Sequence, residues 1–379
     1  MLESAVSDRL RTNRVCVEMS GGLDSTAVAA TAKQLLIRQG HAFDLSAYTV
    51  VYDRLVRDEE RMYAGMAAKK LEIPIAYFPG DEYHLYQHHD SSGMRFPEPM
   101  HEPDGAISFD AFKSQSSRCR VMLTGWDGDA LLSESPKPYF RQLLKQGRIM
   151  RLLTGSLHYA ISERRLVPLG FMTRVQGAFG GERPVSEPFY PAWLNEGFEA
   201  RLALRARWEQ VNAVADVTHP LRPYAFRSFA FISRSSNFFD GYDAGVTGLP
   251  LECRHPLLDL RLLDFCLTLP PFPWCVKKNV LRTAMHGVLP EAVRLRPKTP
   301  MDGWPGAKML GATQARWIDS FDATPVLDEY VVRGRIPKTW GSDQPETAWN
   351  NLRPLSLNVW LRNLEMDVQE SKGEISEYA

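Results

Sequence analysis

Ser20-Gly21-Gly22-Leu23-Asp24-Ser25 are the residues best suited to chemistry in this sequence. They follow an apolar run, Val15 to Met19, and precede a stretch rich in helix formers. The unsatisfied N–H groups and dipole at the start of such a helix favour an anion, with phosphate the natural guest. Gly21 and Gly22 let the backbone approach it, and the hydroxyls of Ser20 and Ser25 can donate to phosphate oxygens. Asp24 would repel a bare phosphate, so it argues for Mg²⁺ bridging carboxylate and phosphate, as a nucleoside triphosphate requires. The loop lacks the lysine of G-x-x-x-x-G-K-[ST], which suggests cleavage away from the terminal phosphate. The plain alternative, a Gly-Gly turn with an aspartate capping a helix, accounts for Gly22 and Asp24 but not for both serines.

Positioning this loop requires strand, turn and helix in succession. Val15–Met19 reads as strand one, and residues 24–39 as a helix ending at Gly40; residues 4–12 read as a short polar helix before them. The alternation repeats with strand 45–52, helix 57–72 and strand 73–78, and residues 120–125 form the last core strand. The expected fold class is α/β, a parallel twisted sheet flanked by helices, with a largely helical C-terminal half. Residues 79–110, dense in His, Pro, Asp and Gly, read as an extended loop that could overlie the site. We expect a nucleotide-binding core at 1–135, a mainly helical insertion at 136–235 with a flexible Gly/Pro stretch from Gly177 to Pro191, and a helical part at 236–379 that completes the active site.

Composition bounds the rest. The 379 residues are 44% hydrophobic and 24% charged, ample for a large core. With 45 basic and 45 acidic residues, no global charge favours nucleic acid or an anionic membrane. Five scattered cysteines without a C-x-x-C pair read as a reduced, cytoplasmic chain. No signal peptide is expected, nor any apolar run near the roughly 20 residues of a membrane span.

SGGLDS after a strand is the signature of the ATP pyrophosphatase loop, and the chain resembles the synthetase domain of the asparagine synthetase and β-lactam synthetase superfamily, with its adenine nucleotide alpha hydrolase-like fold. Three further blocks carry the resemblance: VMLTGWDGDALL (121–132), LECRHPLLDLRLLDFCLTLPP (251–271) and KNVLRTAMHGVLPEAVRLRPKTPM (278–301), which opens as the family's Lys-x-x-Leu-Arg segment. It implies ATP and Mg²⁺. Ser20, Gly21, Gly22, Asp24 and Ser25 would hold the phosphates, Met19, Val50 and Gly125 would border the adenosine, and Asp24 and Asp129 would be the Mg²⁺ ligands. Glu252 matches an acidic residue associated with the acceptor amine, its plain alternative being an ion pair with Arg254 or Arg261. Lys298 matches a lysine that stabilises transition-state charge, its alternative being a solvated loop cation.

The sequence departs from the asparagine synthetase pattern Gly-Glu-Gly-x-Asp-Glu in reading Gly125-Trp126-Asp127-Gly128-Asp129-Ala130. Asp127 reads as a turn residue rather than a third metal ligand, and the His88-His89 pair lacks the further ligand spacing of a metal site. No tyrosine matches the one that β-lactam synthetase uses in deprotonating its amine, so the general base stays open. Leu2 stands where an N-terminal glutaminase would have its cysteine. Either the sequence is part of a longer chain or the enzyme needs no glutamine-derived ammonia. The expected activity is AMP-forming amide synthesis, most like the macrolactam synthetases of lasso peptides. The alternatives are small-molecule amidation and a non-catalytic peptide- or ATP-binding relative. A precursor peptide and a leader-binding or protease partner are implied by the peptide reading alone.

Overall fold

A computed structural model describes residues 1–89, 96–167, 189–213, 219–232, 238–297 and 303–377. Five strands, β1 (Arg14–Glu18), β2 (Asp44–Val51), β3 (Ile75–Pro79), β4 (Val121–Leu123) and β5 (Glu252–Arg254), form one sheet in the order β3-β2-β1-β4-β5. Every neighbouring pair is parallel. Val15, Cys16 and Val17 of β1 are all buried, because helices cover both faces of the sheet and a central strand has no wet side. Val15, Val17 and Met19 pack with helix α2 (Leu23–Gln39), which follows the short N-terminal helix α1 (Leu2–Ser7), whereas Cys16 faces Tyr48, Phe112 and Met122 on the other side. Ala27, Ala29, Ala30 and Ala32 of α2 are fully buried, small enough for the helix to lie close against the strands. Gly40 ends α2 in the left-handed conformation, as expected for that C-cap.

Strand order positions the site. From β1 the chain runs outward through β2 and β3, then returns across the sheet to place β4 on the other side of β1. The crevice outside the carboxyl ends of β1 and β4 is therefore a topological switch point, where open α/β sheets bind ligands.

Two segments differ in kind from what the sequence suggests. β5 falls where no core strand is expected: it is short, charged at both ends, and becomes a strand by pairing with β4 at the sheet edge. Helix Gly105–Ser116 occupies the end of the segment read as a loop, burying Ala106, Ile107, Ala111 and Phe112. The part of that segment containing Leu85 and Tyr86 packs on Met309, Leu310, Leu352 and Leu355 of the C-terminal half. None of the described residues between 79 and 110 lines the main cavity. Residues 177–188 of the Gly/Pro stretch lie outside the described residues. Among the described residues, no helix is long and apolar enough to cross a membrane.

Helices Lys137–Lys145 and Ile149–Glu163 are joined to the core by an aromatic cluster of Phe140, Tyr159 and Phe272. This packing brings His158, Ser162 and Glu163 to the rim of the switch-point crevice.

Candidate active site

The crevice is a cavity of about 1100 Å³ between the loop after β1, the loop after β4 and the Lys277–Pro297 segment. In the first loop the Ser20 and Ser25 hydroxyl oxygens lie 3.1 Å apart, and Ser25 Oγ donates to the Ser20 carbonyl at 3.1 Å. Gly22 starts α2 without any side-chain cap, so the first-turn amides keep their capacity for an anion. At Gly125 a Cβ would lie 2.6 Å from the Ser25 nitrogen, so glycine is needed for the β4 loop to approach the start of α2.

Charged groups converge on these loops. Lys278, itself in the left-handed conformation, puts its ammonium between Asp24 and Asp129, with Nζ 2.7 Å from Asp129 Oδ1. Glu60 accepts from the Gly21 amide and pairs with Arg296 at 3.2 Å. Arg296 also lies over the Tyr63 ring at 4.1 Å. Arg282 donates to the carbonyls of Lys277, Arg294 and Arg296, tying together the two ends of that wall. Asp127 occupies a left-handed turn at the start of helix Gly128–Leu132, as read from sequence, and accepts a 3.4 Å hydrogen bond from Ser228. Burial pushes its carboxyl up to about 6. Burial also pushes Glu18, at the end of β1, up to about 7.

The structure brings Ser20, Gly22, Asp24, Ser25, Gly125 and Asp129 to one cavity, with Gly21 in its loop. Met19 has a fully buried side chain, and its backbone N–H donates to Tyr48, so only its main chain borders the loop. Val50 sits in β2 outside the residues that line the cavity. Glu252 is not brought there: its half-exposed carboxylate pairs with Arg254, the plain alternative allowed from sequence. It is level with Val121, which pairs with Val15, so it lies toward the amino ends of the strands while the cavity opens at their carboxyl ends. Lys298 lies outside the described residues, next to Pro297 of the cavity wall.

Sequence reasoning passed over Lys278, Glu60, Arg296 and Glu18. Lys278 was legible as the first residue of the Lys-x-x-Leu-Arg block, and Glu18 as a charge in an otherwise apolar strand. Arg296 was legible as the arginine of Arg296-Pro297-Lys298 in the same block as Lys278, whereas Glu60 carries no local signal.

The residues fit Mg²⁺ and a triphosphate. Two hard carboxylate donors already share one cation, the Lys278 ammonium, beside hydroxyls and helix-start amides suited to phosphate. A metal bound there would neutralise phosphate charge and polarise the reacting oxygen.

"Asparagine synthetase [glutamine-hydrolyzing] 3" of Bacillus subtilis (strain 168) is 24% identical over 324 residues, covering 79% of this chain and 47% of the relative. The chain thus spans about half the length of that protein. The family model described as asparagine synthase matches residues 1–362, from before β1 into the last helix, and by that match the chain belongs to the asparagine synthase family.

Proposed function

We propose that this protein is an ATP-dependent amide synthetase that adenylates an Asp- or Glu-type carboxylate and transfers the acyl group to an amine, releasing AMP and pyrophosphate. The observation that carries the reading is the convergence of Asp24 and Asp129 on one cation beside the Ser20–Ser25 loop. That arrangement suits a metal-held triphosphate without a loop lysine on the terminal phosphate. A carboxylate attacks the α-phosphate, giving acyl-AMP and pyrophosphate, and the amine then displaces AMP. Orientation of the two reactants in one pocket accounts for roughly 7 to 11 kcal/mol of the barrier reduction. Lys298 is assigned to stabilising the negative charge that develops.

The favoured amide is a macrolactam in a ribosomally made, lasso-type peptide, which would supply its own amine. Its support is the resemblance of residues 270–300 and of the ending RPLSLNVWLRNL (353–364) to synthetases of ribosomal-peptide clusters, together with a cavity of about 1100 Å³. A precursor peptide, with a leader-binding or protease partner, belongs to this reading. The similarity to an asparagine synthetase of Bacillus subtilis supports a second reading, amidation of a small amino acid.

Incubation with Mg-ATP and a panel of aspartate plus ammonia, β-amino acids, and linear peptides with an internal Asp or Glu tests both. AMP and pyrophosphate formed only with a peptide that loses one water in mass support macrolactam synthesis. AMP formed with aspartate and ammonia moves the assignment to small-molecule amidation. ADP in place of AMP refutes adenylation.

A further inference from the structure

We propose that Glu18 is the carboxylate that takes the proton from the attacking amine. The inference rests on the amide-synthetase reading and identifies a general base for its second step. Among the described residues, six carboxylates line the cavity: Glu18, Asp24, Glu60, Asp127, Asp129 and Glu163. Asp24 and Asp129 are held by Lys278, Glu60 by Arg296 and the Gly21 amide, and Glu163 by Lys277 at 2.6 Å. Asp127 accepts from Ser228. Among the described residues Glu18 alone of the six makes neither ion pair nor hydrogen bond through its side chain.

Placement agrees with the role. Glu18 ends β1 two residues before Ser20, about 6–7 Å along an extended chain from the loop proposed to hold the phosphates. It projects to the Cys16 side of the sheet, away from Val17 and Met19, and reaches the cavity whose wall also contains Trp126. The groups facing it are Cys16 on its own strand, Tyr48 on β2, Cys253 on β5, and Tyr242. Each is raised by its surroundings, Cys253 to about 12, so all four stay neutral near pH 7 and none holds Glu18 ionised as a cation would. The result is a carboxyl at about 7, matched to proton transfer at neutral pH.

The step balances. An ammonium R–NH₃⁺ gives one proton to the Glu18 carboxylate, and the free amine forms a C–N bond at the acyl carbon. The C–O bond to the phosphate breaks, AMP leaves with that electron pair, and the second nitrogen proton goes to water. No oxidant or reductant is involved.

The test compares wild type with Glu18→Gln, using linear peptides that carry a free N-terminal amine and an internal Asp or Glu. ATP–pyrophosphate exchange reports adenylation, amide yield reports aminolysis, and hydroxylamine, already unprotonated at neutral pH and losing its single proton to water only after attack, traps the acyl group directly. Glu18→Gln is expected to keep exchange and hydroxamate formation near wild type while amide formation falls by about 100-fold or more. The rise of amide formation through pH 7 should move up toward about pH 8, where the peptide amine loses its own proton to water. Stabilisation by Mg-ATP in thermal unfolding shows that the variant folds and binds nucleotide. Amide formation at the wild-type rate overturns the assignment, as does parallel loss of exchange and amide. Absence of exchange in wild type across the peptides refutes adenylation of peptides, and with it this role. Exchange in wild type with full amide formation by the variant refutes the role of Glu18 alone.

Discussion

The ammonium of Lys278 lies 2.7 Å from Oδ1 of Asp129 while also donating to Asp24, so one side chain holds together two carboxylates from different loops. The two acids would otherwise repel each other, and both are expected to bind Mg²⁺ with a nucleotide. On that expectation lysine and metal would compete for the same oxygens.

That competition has a measurable result. In wild type, Mg²⁺ alone should raise the thermal midpoint little, because it must displace Lys278. In Lys278→Met the metal-free protein should be less stable and the gain from Mg²⁺ larger, by mass action. ATP–pyrophosphate exchange should fall about 100-fold in the same variant, since one fixed charge beside the phosphates is lost. Equal Mg²⁺ shifts in the two proteins would contradict the competition.

Gly125 sets the gap between β4 and α2. A methyl group there would sit 2.6 Å from the Ser25 nitrogen and 2.7 Å from its Cα, both backbone atoms that cannot swing aside. Gly125→Ala should cost roughly 1–3 kcal/mol by overpacking. It should also weaken ATP binding by about tenfold or more, because the phosphate loop is displaced; an ångström-scale misplacement commonly costs more. Gly311→Ala, with nothing within 4 Å of the new carbon, is the control and should be neutral or slightly stabilising. Calorimetry of ATP binding to both variants checks the contrast, and unchanged affinity in Gly125→Ala would refute it.

His255 gives stability a pH dependence. It is buried, with Nδ1 2.7 Å from Thr124 Oγ1, and burial, then Arg9, holds its pKa down to about 4 from 6.5. Between those values the unfolded chain binds a proton that the folded chain does not, so stability falls as pH drops. The contribution is fully present above about pH 6.5 and is lost toward pH 4, up to about 3 kcal/mol in all. His101, lowered to about 4 chiefly by burial, acts in the same direction, so the difference between wild type and His255→Gln isolates the effect. Urea unfolding at pH 4.5 and 7 should show a smaller loss in the variant; equal losses would mean that His255 does not titrate as described.

Local features are legible in the amino-acid sequence itself. SGGLDS, its flanking strand and helix, and the first two βα repeats depend on contacts within a few dozen residues, where turn glycines, β-branched runs and a C-cap glycine leave their pattern in the chain. Asp24, Ser20, Ser25, Gly125 and Asp129 each belong to such a local block, which is why residue type and spacing single them out, and all five meet at the cavity. Tertiary structure alone decided which cation Asp24 meets, since Lys278 lies 254 residues away and only the return of the chain across the switch point joins them. The same long-range pairing made a strand of Glu252–Arg254, whose sequence has no strand periodicity, and its register put Glu252 toward the far end from the cavity. Residue type and spacing determined what chemistry the loops could do; the crossover and the register, set by burial of whole strands and helices, decided which side chains share the cavity.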